Sequence, residues 1–296
     1  MSKQVPVYDI SSVSEFRKED LLISRFAPYY ETHTNLRQAH RHSFYHLVLF
    51  TEGKGTHSID FETFTIQPFQ IYFMIPGQVH SWDFEGFVDG YVINFSPEVF
   101  NSFLLNPDFI ESFNFFRGNA SDSVINIPGE SRPKIKNLFD EILVESVENK
   151  GSEFFMIKIL MINIFLLVSR FGPSAEPEIK SSYNYTLLKN FQKLISGNYK
   201  ILKLPKDYAQ LLYITPNHLN ALCNDLLGQS AGEVIRNRVF LEAKRLLINP
   251  ELSISEIAGI LNFKDNSYFT KAFKKHLGLT PEEFKKTIKD ESINRE

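Results

Sequence analysis

The chain has a single cysteine, Cys223, among 296 residues. That excludes a disulfide framework and any cysteine-based zinc site, and it fits a reducing compartment. Long apolar runs are also missing. The nearest, FFMIKILMINIFLLVS at 154–169, is interrupted by Lys158 and Asn163 and falls short of the roughly 20 apolar residues a membrane span needs. It reads instead as a buried or subunit-pairing helix. The opening residues MSKQVPVYDI lack the apolar core of a secretory signal, so a cytoplasmic location without membrane contact is expected. Against these absences, 43% of residues are hydrophobic and 23% charged, enough to build a packed core and exclude wholesale disorder. The length suggests two domains, or one large one.

The net charge of −3 hides an asymmetry: residues 183–296 carry 17 Lys and Arg against 12 Asp and Glu, whereas residues 1–182 carry 15 against 23. A basic C-terminal third on an acidic body is expected where one end meets a polyanion.

From about Tyr29 to Phe95, short runs rich in aromatic and β-branched residues (46–50, 56–61, 71–75 and 90–95) alternate with turn signals such as Gly53-Lys54-Gly55 and Pro76-Gly77. This pattern predicts a small antiparallel sandwich or barrel. From Pro97 the period turns helical, with helices expected over 133–149, where apolar residues recur at spacings of three and four, and over 153–171. Residues 172–182, with two prolines, a glycine and three serines, read as a linker. Everything beyond is helical. The fold class is α+β: an antiparallel β-barrel with flanking helices over 1–171, a linker over 172–184, and an all-helical domain over 185–296.

The helical third contains an internal repeat. Leu219, Cys223, Gly228, Ser230, Glu233 and Val234 recur as Phe269, Phe273, Gly278, Thr280, Glu283 and Phe284 at an offset of 50, and Ala209 recurs as Ala258 at 49. Each copy has the parts of a helix-turn-helix: a short helix, a tight turn at Tyr213-Ile214-Thr215 or near Asn262, and a second helix closed by a glycine. The capping signature Ser253…Glu256 opens the second copy. The helix expected between the copies, 231–249, is nearly 30 Å long, close to the roughly 34 Å between successive major-groove faces on one side of DNA.

The stretch 254–286, with Ala258, Tyr268-Phe269, Phe273-Lys274-Lys275, Gly278 and Thr280-Pro281, resembles the signature of the AraC/XylS family of transcription regulators. The resemblance implies a DNA-binding domain whose base-facing positions are Asn217, His218, Asn220 and Ala221 in the first copy and Asn266, Ser267, Thr270 and Lys271 in the second. Lys264 and Lys274 would contact phosphates. Ala221 stands where relatives often carry Arg and Cys223 where Phe is usual, so the first motif is expected to read less sequence. Expected partners are double-stranded promoter DNA, RNA polymerase, a second copy of the chain and a small-molecule effector. No cofactor and no enzymatic activity are expected.

In the front half, His40, His42 and His46, with Gly53 and the later His80, resemble the two motifs of a cupin barrel. Three readings follow: a metal site built from His40, His42, His46 and His80, a polar effector pocket, or histidines that only pack. The pocket reading adds Phe44, Tyr72 and Trp82, with Trp82 at the rim. The motif departs from metal-binding cupins in carrying His46 for the acidic ligand, Thr34 for the first glycine and Phe69 for the second. If no bulge intervenes, His46 shares a strand face with His40 and His42. His33 and His57 are expected at the surface. A regulator with a cupin-like sensor is the leading reading, beside a metal-dependent cupin enzyme with a DNA-binding appendage and a constitutive, effector-free activator.

Overall fold

A computed structural model describes residues 6–10, 21–100, 107–147, 153–171 and 183–293. The chain divides into two compact units. The N-terminal one contains β1 (Val7–Tyr8), β2 (Leu21–Arg25), α1 (Phe26–Thr32), β3 (His40–His42), β4 (Tyr45–Glu52), β5 (Gly55–Ile59), β6 (Glu62–Thr65), β7 (Gln70–Met74), β8 (Val79–Phe84), β9 (Asp89–Phe95), β10 (Val124–Asn126), α2 (Arg132–Val147) and α3 (Glu153–Val168). The C-terminal one contains α4 (Tyr183–Asn198), α5 (Pro205–Leu211), α6 (Pro216–Leu227), α7 (Ala231–Leu247), α8 (Ile254–Ile260), α9 (Asn266–Leu277) and α10 (Pro281–Ile293).

Two five-stranded sheets, ordered β1-β3-β8-β5-β6 and β10-β7-β4-β9-β2, form the front unit. All pairings are antiparallel except the short parallel contact of β1 with β3. Side chains alternate between the faces of a strand, and β4 shows why its sequence is apolar throughout. Leu47 and Leu49 join the core that includes α2 and α3, while Val48 and Phe50 face the core between the sheets. A sheet covered on both faces reads as a continuous hydrophobic run. Gly55 (φ +136°) is required where β5 enters beside β8, because a Cβ there would lie 2.2 Å from the Asp83 carbonyl oxygen.

Helical periodicity from Pro97 does not survive intact. Among described residues, 97–131 forms isolated 3-10 turns and the strand β10, which extends the second sheet beside β7. Pro97, Pro107 and Pro128 open or interrupt these turns, and Phe100, Phe113, Phe115 and Phe116 anchor them in the core beneath α3. The expected helices over 133–149 and 153–171 appear as α2 and α3. α3 buries Ile157, Leu160, Met161, Ile164, Phe165 and Val168, yet Phe155, Met156, Ile159 and Leu166 stay exposed, as do Val144 and Val147 on α2. Residues 172–182 of the expected linker lie outside the described residues, and 183–184 begin α4.

The repeat folds as two helix-turn-helix hairpins, α5–α6 and α8–α9, joined by α7. Ala209 and Ala258, Leu219 and Phe269, Cys223 and Phe273 are all buried in one core. Gly228 (φ +67°) and Gly278 (φ +80°) end α6 and α9 in the left-handed conformation, which glycine adopts without a Cβ penalty. Ser230–Glu233 and Ser253–Glu256 form reciprocal capping boxes, and Thr280 and Glu283 exchange the same bonds at α10. Both turns pass through a left-handed residue, Asn262 (φ +53°) and Tyr213 (φ +55°). Asn tolerates this conformation, whereas Tyr adopts it at a steric cost. Tyr213 is 97% exposed, so its ring gains nothing by burial. Tyr213→Asn is therefore expected to stabilise the C-terminal unit by about 0.5–1 kcal/mol, read as a higher urea midpoint at unchanged slope.

Candidate nucleic-acid interface and sensor interior

Each second helix has one buried and one exposed face, set by the 3.6-residue period. α6 buries Leu219, Leu222 and Cys223 and exposes Asn217, His218 and Ala221. α9 buries Phe269 and Phe273 and exposes Asn266, Ser267, Lys271 and Lys274. Lys264 is exposed in the turn before α9. Thr215 and Asp265 cap the two helices by accepting the backbone N–H of His218 (3.1 Å) and Tyr268 (2.7 Å). Burial pushes the Cys223 thiol up to about 11, marking it as a packing residue.

Two positions depart from the expected row. Asn220 is half-buried, and its Oδ1 accepts the backbone N–H of Ala231 at 3.0 Å. It fastens α6 to the first turn of α7. Its counterpart Thr270, also half-buried, faces no such demand because Pro281 at the matching position has no N–H. Tyr268, absent from the expected set, is exposed. The repeat offset of 50 applied to His218 points to it.

The strut α7 has 17 residues and is about 25 Å long, shorter than the expected 231–249 because Ile248 is the C-cap residue. Buried Arg245 and partly buried Arg238 both reach the Glu242 carboxylate, at 3.5 and 3.1 Å, and the Arg238 guanidinium lies 4.1 Å from the centre of the Tyr199 ring. The ion pairs lie within α7, and the Arg238–Tyr199 contact holds the helix to the segment after α4.

Between the sheets of the front unit lies a cluster of five buried histidines. His40 and His42 come from β3, His57 from β5, His80 from β8 and His46 from β4. His40 and His80 are register partners. Nε2 of His42 lies 3.2 Å from Nε2 of His40 and 2.8 Å from Nε2 of His80, and Nε2 of His57 lies 3.2 Å from Nδ1 of His80. His46 does not share a strand with His40 and His42. The chain bends at Ser43–Phe44 and crosses to the other sheet, so His46 meets the cluster from the opposite side, with ring centres 5.0 Å from His42 and 5.3 Å from His80.

His57 is fully buried rather than at the surface, between Tyr72 and His80. The inward alternation Gly55, His57, Ile59 along β5 carried that signal. His33 is half-buried, and its Nδ1 donates to the Tyr29 carbonyl at 2.7 Å at the end of α1. Trp82 is not at a rim: its ring sits against Phe26, His80 and Phe84. Phe44 and Tyr72 are buried in the same interior. Phe69 adopts φ +63° where the second cupin motif has glycine, and Thr34 lies in a 3-10 turn.

Burial disfavours the imidazolium form of every member. It lowers His40 to about 4 and His46 to about 3, and holds His42, His57 and His80 well below the ordinary value, aided by repulsion between neighbouring rings. The cluster is neutral near pH 7. Ligand atoms of His40, His42 and His80 lie within 4.8 Å of one another.

No helix among the described residues is long and apolar enough to cross a membrane. Residues 23–165 match the family model of an AraC-like ligand-binding domain, and residues 208–287 match that of a helix-turn-helix domain. The chain is 20% identical over 249 residues to the HTH-type transcriptional activator RhaR of Mannheimia succiniciproducens, covering 83% of this chain and 86% of the relative. It is 25% identical over 248 residues to the arabinose operon regulatory protein of Salmonella typhimurium, covering 81% and 83%. Among solved structures it is similar to ToxT from Vibrio cholerae, with a TM-score of 0.44, 14% identity, and coverage of 92% of this chain and 99% of that one. The first of these relatives is named as a transcriptional activator and the second as an operon regulatory protein. With a ligand-binding domain ahead of a duplicated helix-turn-helix unit, the chain belongs to the AraC family of transcriptional regulators.

Proposed function

We propose that the chain is a cytoplasmic, homodimeric activator that places α6 and α9 in successive major grooves of one promoter duplex and acts with RNA polymerase under effector control. Residues 1–171 would sense and dimerise, 185–296 would bind DNA, and 172–184 would link them. The observation that carries the reading is the pair of hairpins with exposed polar rows: Asn217, His218 and Ala221 on α6, and Asn266, Ser267 and Lys271 on α9. Asn and Lys match the hydrogen-bonding edges of adenine and guanine, and Ala221 suits a thymine methyl. Thr270 would add a weaker contact from the flank, and Asn220 serves as a positioning residue. Lys264 and Lys274 supply phosphate contacts, and the basic side chains nearby make binding salt-dependent.

The apolar exposed residues of the neighbouring helices α2 and α3, among them Val144, Val147, Phe155 and Ile159, support dimerisation through these helices, since a second copy would remove them from water. Effector control would follow from a ligand that binds one arrangement of the dimer better than another.

Lys271→Ala tests the reading. It is expected to lower affinity for the preferred site by about 1–3 kcal/mol while flattening discrimination at one base position, measured by fluorescence anisotropy on a set of single-base variants. An equal loss on every sequence would make Lys271 a phosphate contact. No loss would remove α9 from the interface.

A further inference from the structure

We propose that Lys203 is a positioning residue for DNA recognition, tying the first hairpin to the turn of the second and so fixing the spacing of α6 and α9. The inference rests on the two-groove reading above and deepens it.

Both ends of the tie are firm. Lys203 lies just before Pro205 opens α5, and the Tyr208 hydroxyl donates to the neighbouring Leu202 carbonyl at 2.8 Å, so this segment moves with the first hairpin. At the other end, α8 closes with paired bonds, from the Asn262 N–H to the Gly259 carbonyl and from the Phe263 N–H to the Ala258 carbonyl, each 2.9 Å. This closure uses the N–H groups of the turn and leaves the Asn262 carbonyl outside the helix ladder. The Lys203 ammonium donates to that carbonyl at 3.1 Å and to the Lys200 carbonyl at 2.7 Å, and the centre of the Phe263 ring lies 5.0 Å from it. An ammonium has three N–H groups; here two carbonyls and an aromatic face receive it. Phe263 packs in turn on Phe240 of α7 and Phe269 of α9, with ring centres 6.3 and 5.0 Å apart. Asp265, the cap of α9, follows shortly after. Lys203 therefore holds the corner from which α9 is aimed.

Two further observations set this contact apart from ordinary surface bonding. Lys203 is half-buried, these partners include no carboxylate, and loss of water holds its ammonium below the ordinary lysine range. Desolvating a cation costs free energy that the carbonyls and the ring must offset. The repeat, moreover, does not carry this lysine. Residues that each hairpin needs for its own fold recur in both copies, as Ala209 does at Ala258, and at the same offset Lys203 corresponds to Leu252. A lysine found in one copy and bonded to the other serves the pair. α7 sets the separation of the hairpins, and an attachment away from its axis resists rotation of one against the other. Both quantities matter on DNA, where one base pair shifts the groove by about 3.4 Å and turns it by about 35°.

The test uses the full-length protein and duplexes carrying its selected site, with one base pair inserted or removed between the two half-sites. Wild type is expected to bind the native spacing most tightly. Lys203→Met keeps the stem, removes the N–H groups and should narrow that preference about 10-fold, the scale of a hydrogen bond to a charged group. Lys285 provides the control, because it donates to the Pro250 and Leu252 carbonyls at 3.0 and 2.7 Å within the second half. Lys285→Met should leave the preference unchanged.

A folded Lys203→Met with the wild-type preference would overturn the proposal. So would equal weakening at every spacing, which would make Lys203 a phosphate contact, or an equal narrowing by Lys285→Met, which would mean general loosening. A wild type indifferent to spacing would instead overturn the two-groove reading, and this inference with it. If Lys203→Met fails to fold, the wild-type Lys203 ammonium resonance decides. It should exchange slowly with water in the native complex and rapidly in the shifted one, and identical behaviour in both would reject the tie.

Discussion

Acidification from pH 7 to pH 5, with chelator present, is expected to unfold the N-terminal unit. The native state holds His40 at about 4 and His46 at about 3, with His42, His57 and His80 also depressed, while in the unfolded chain each titrates near 6.5. Below pH 6.5 the unfolded state binds more protons, so stability present above that pH is lost as the pH falls towards the native values. Each histidine contributes about 1.4 kcal/mol per pH unit across this window, and five together up to about 7. Over the one and a half units from pH 6.5 to 5 the loss reaches about 10 kcal/mol, as large as the ~5–15 kcal/mol by which a domain is stable. Trp82, the single tryptophan, sits 4.8 Å from the His80 ring, so its fluorescence reports the cluster directly. Native emission persisting to pH 4 would contradict buried neutral histidines.

Phe165→Ala is expected to cost the same unit about 3–5 kcal/mol, the range for emptying a phenylalanine site in a packed core. Phe165 is fully buried, and its ring centre lies 5.2 Å from Phe116, 5.8 Å from Phe113 and 6.1 Å from Phe73. Through this residue α3 is keyed to the outer face of the second sheet. The loss should appear as a lower urea midpoint in the transition followed by Trp82. A change within about 0.5 kcal/mol, the range of surface substitutions, would mean that α3 does not cover the sheet.

The parts legible in the sequence were those governed by local rules. The offset repeat, its glycine caps and its capping boxes located both hairpins, because each cap needs particular residues at fixed spacing. The strands β4, β5, β7 and β9 could be read from aromatic and β-branched runs between turns. The sensor interior was harder, because its neighbours come from different strands. Counting along one strand puts His46 with His40 and His42, yet the bend at Ser43–Phe44 carries it to the opposite sheet. His57 shares a strand face with the buried Ile59, a signal visible only when β5 is read as an alternating strand. Apolar spacing alone does not show what a side chain packs against, so it neither sets Trp82 between the sheets nor excludes helices after Pro97. On α6 and α9, exposure follows helical period and was legible. The commitment of Asn220 to Ala231 was not, since it depends on where α7 begins in space.

The most direct measurement of the central claim is methylation protection on a selected binding site, which reports guanine N7 in the major groove. Two protected patches about 10 base pairs apart on one face of the duplex are expected, with Lys271→Ala erasing protection within one patch. A single patch, or two on opposite faces, would contradict a grip by α6 and α9 on neighbouring grooves.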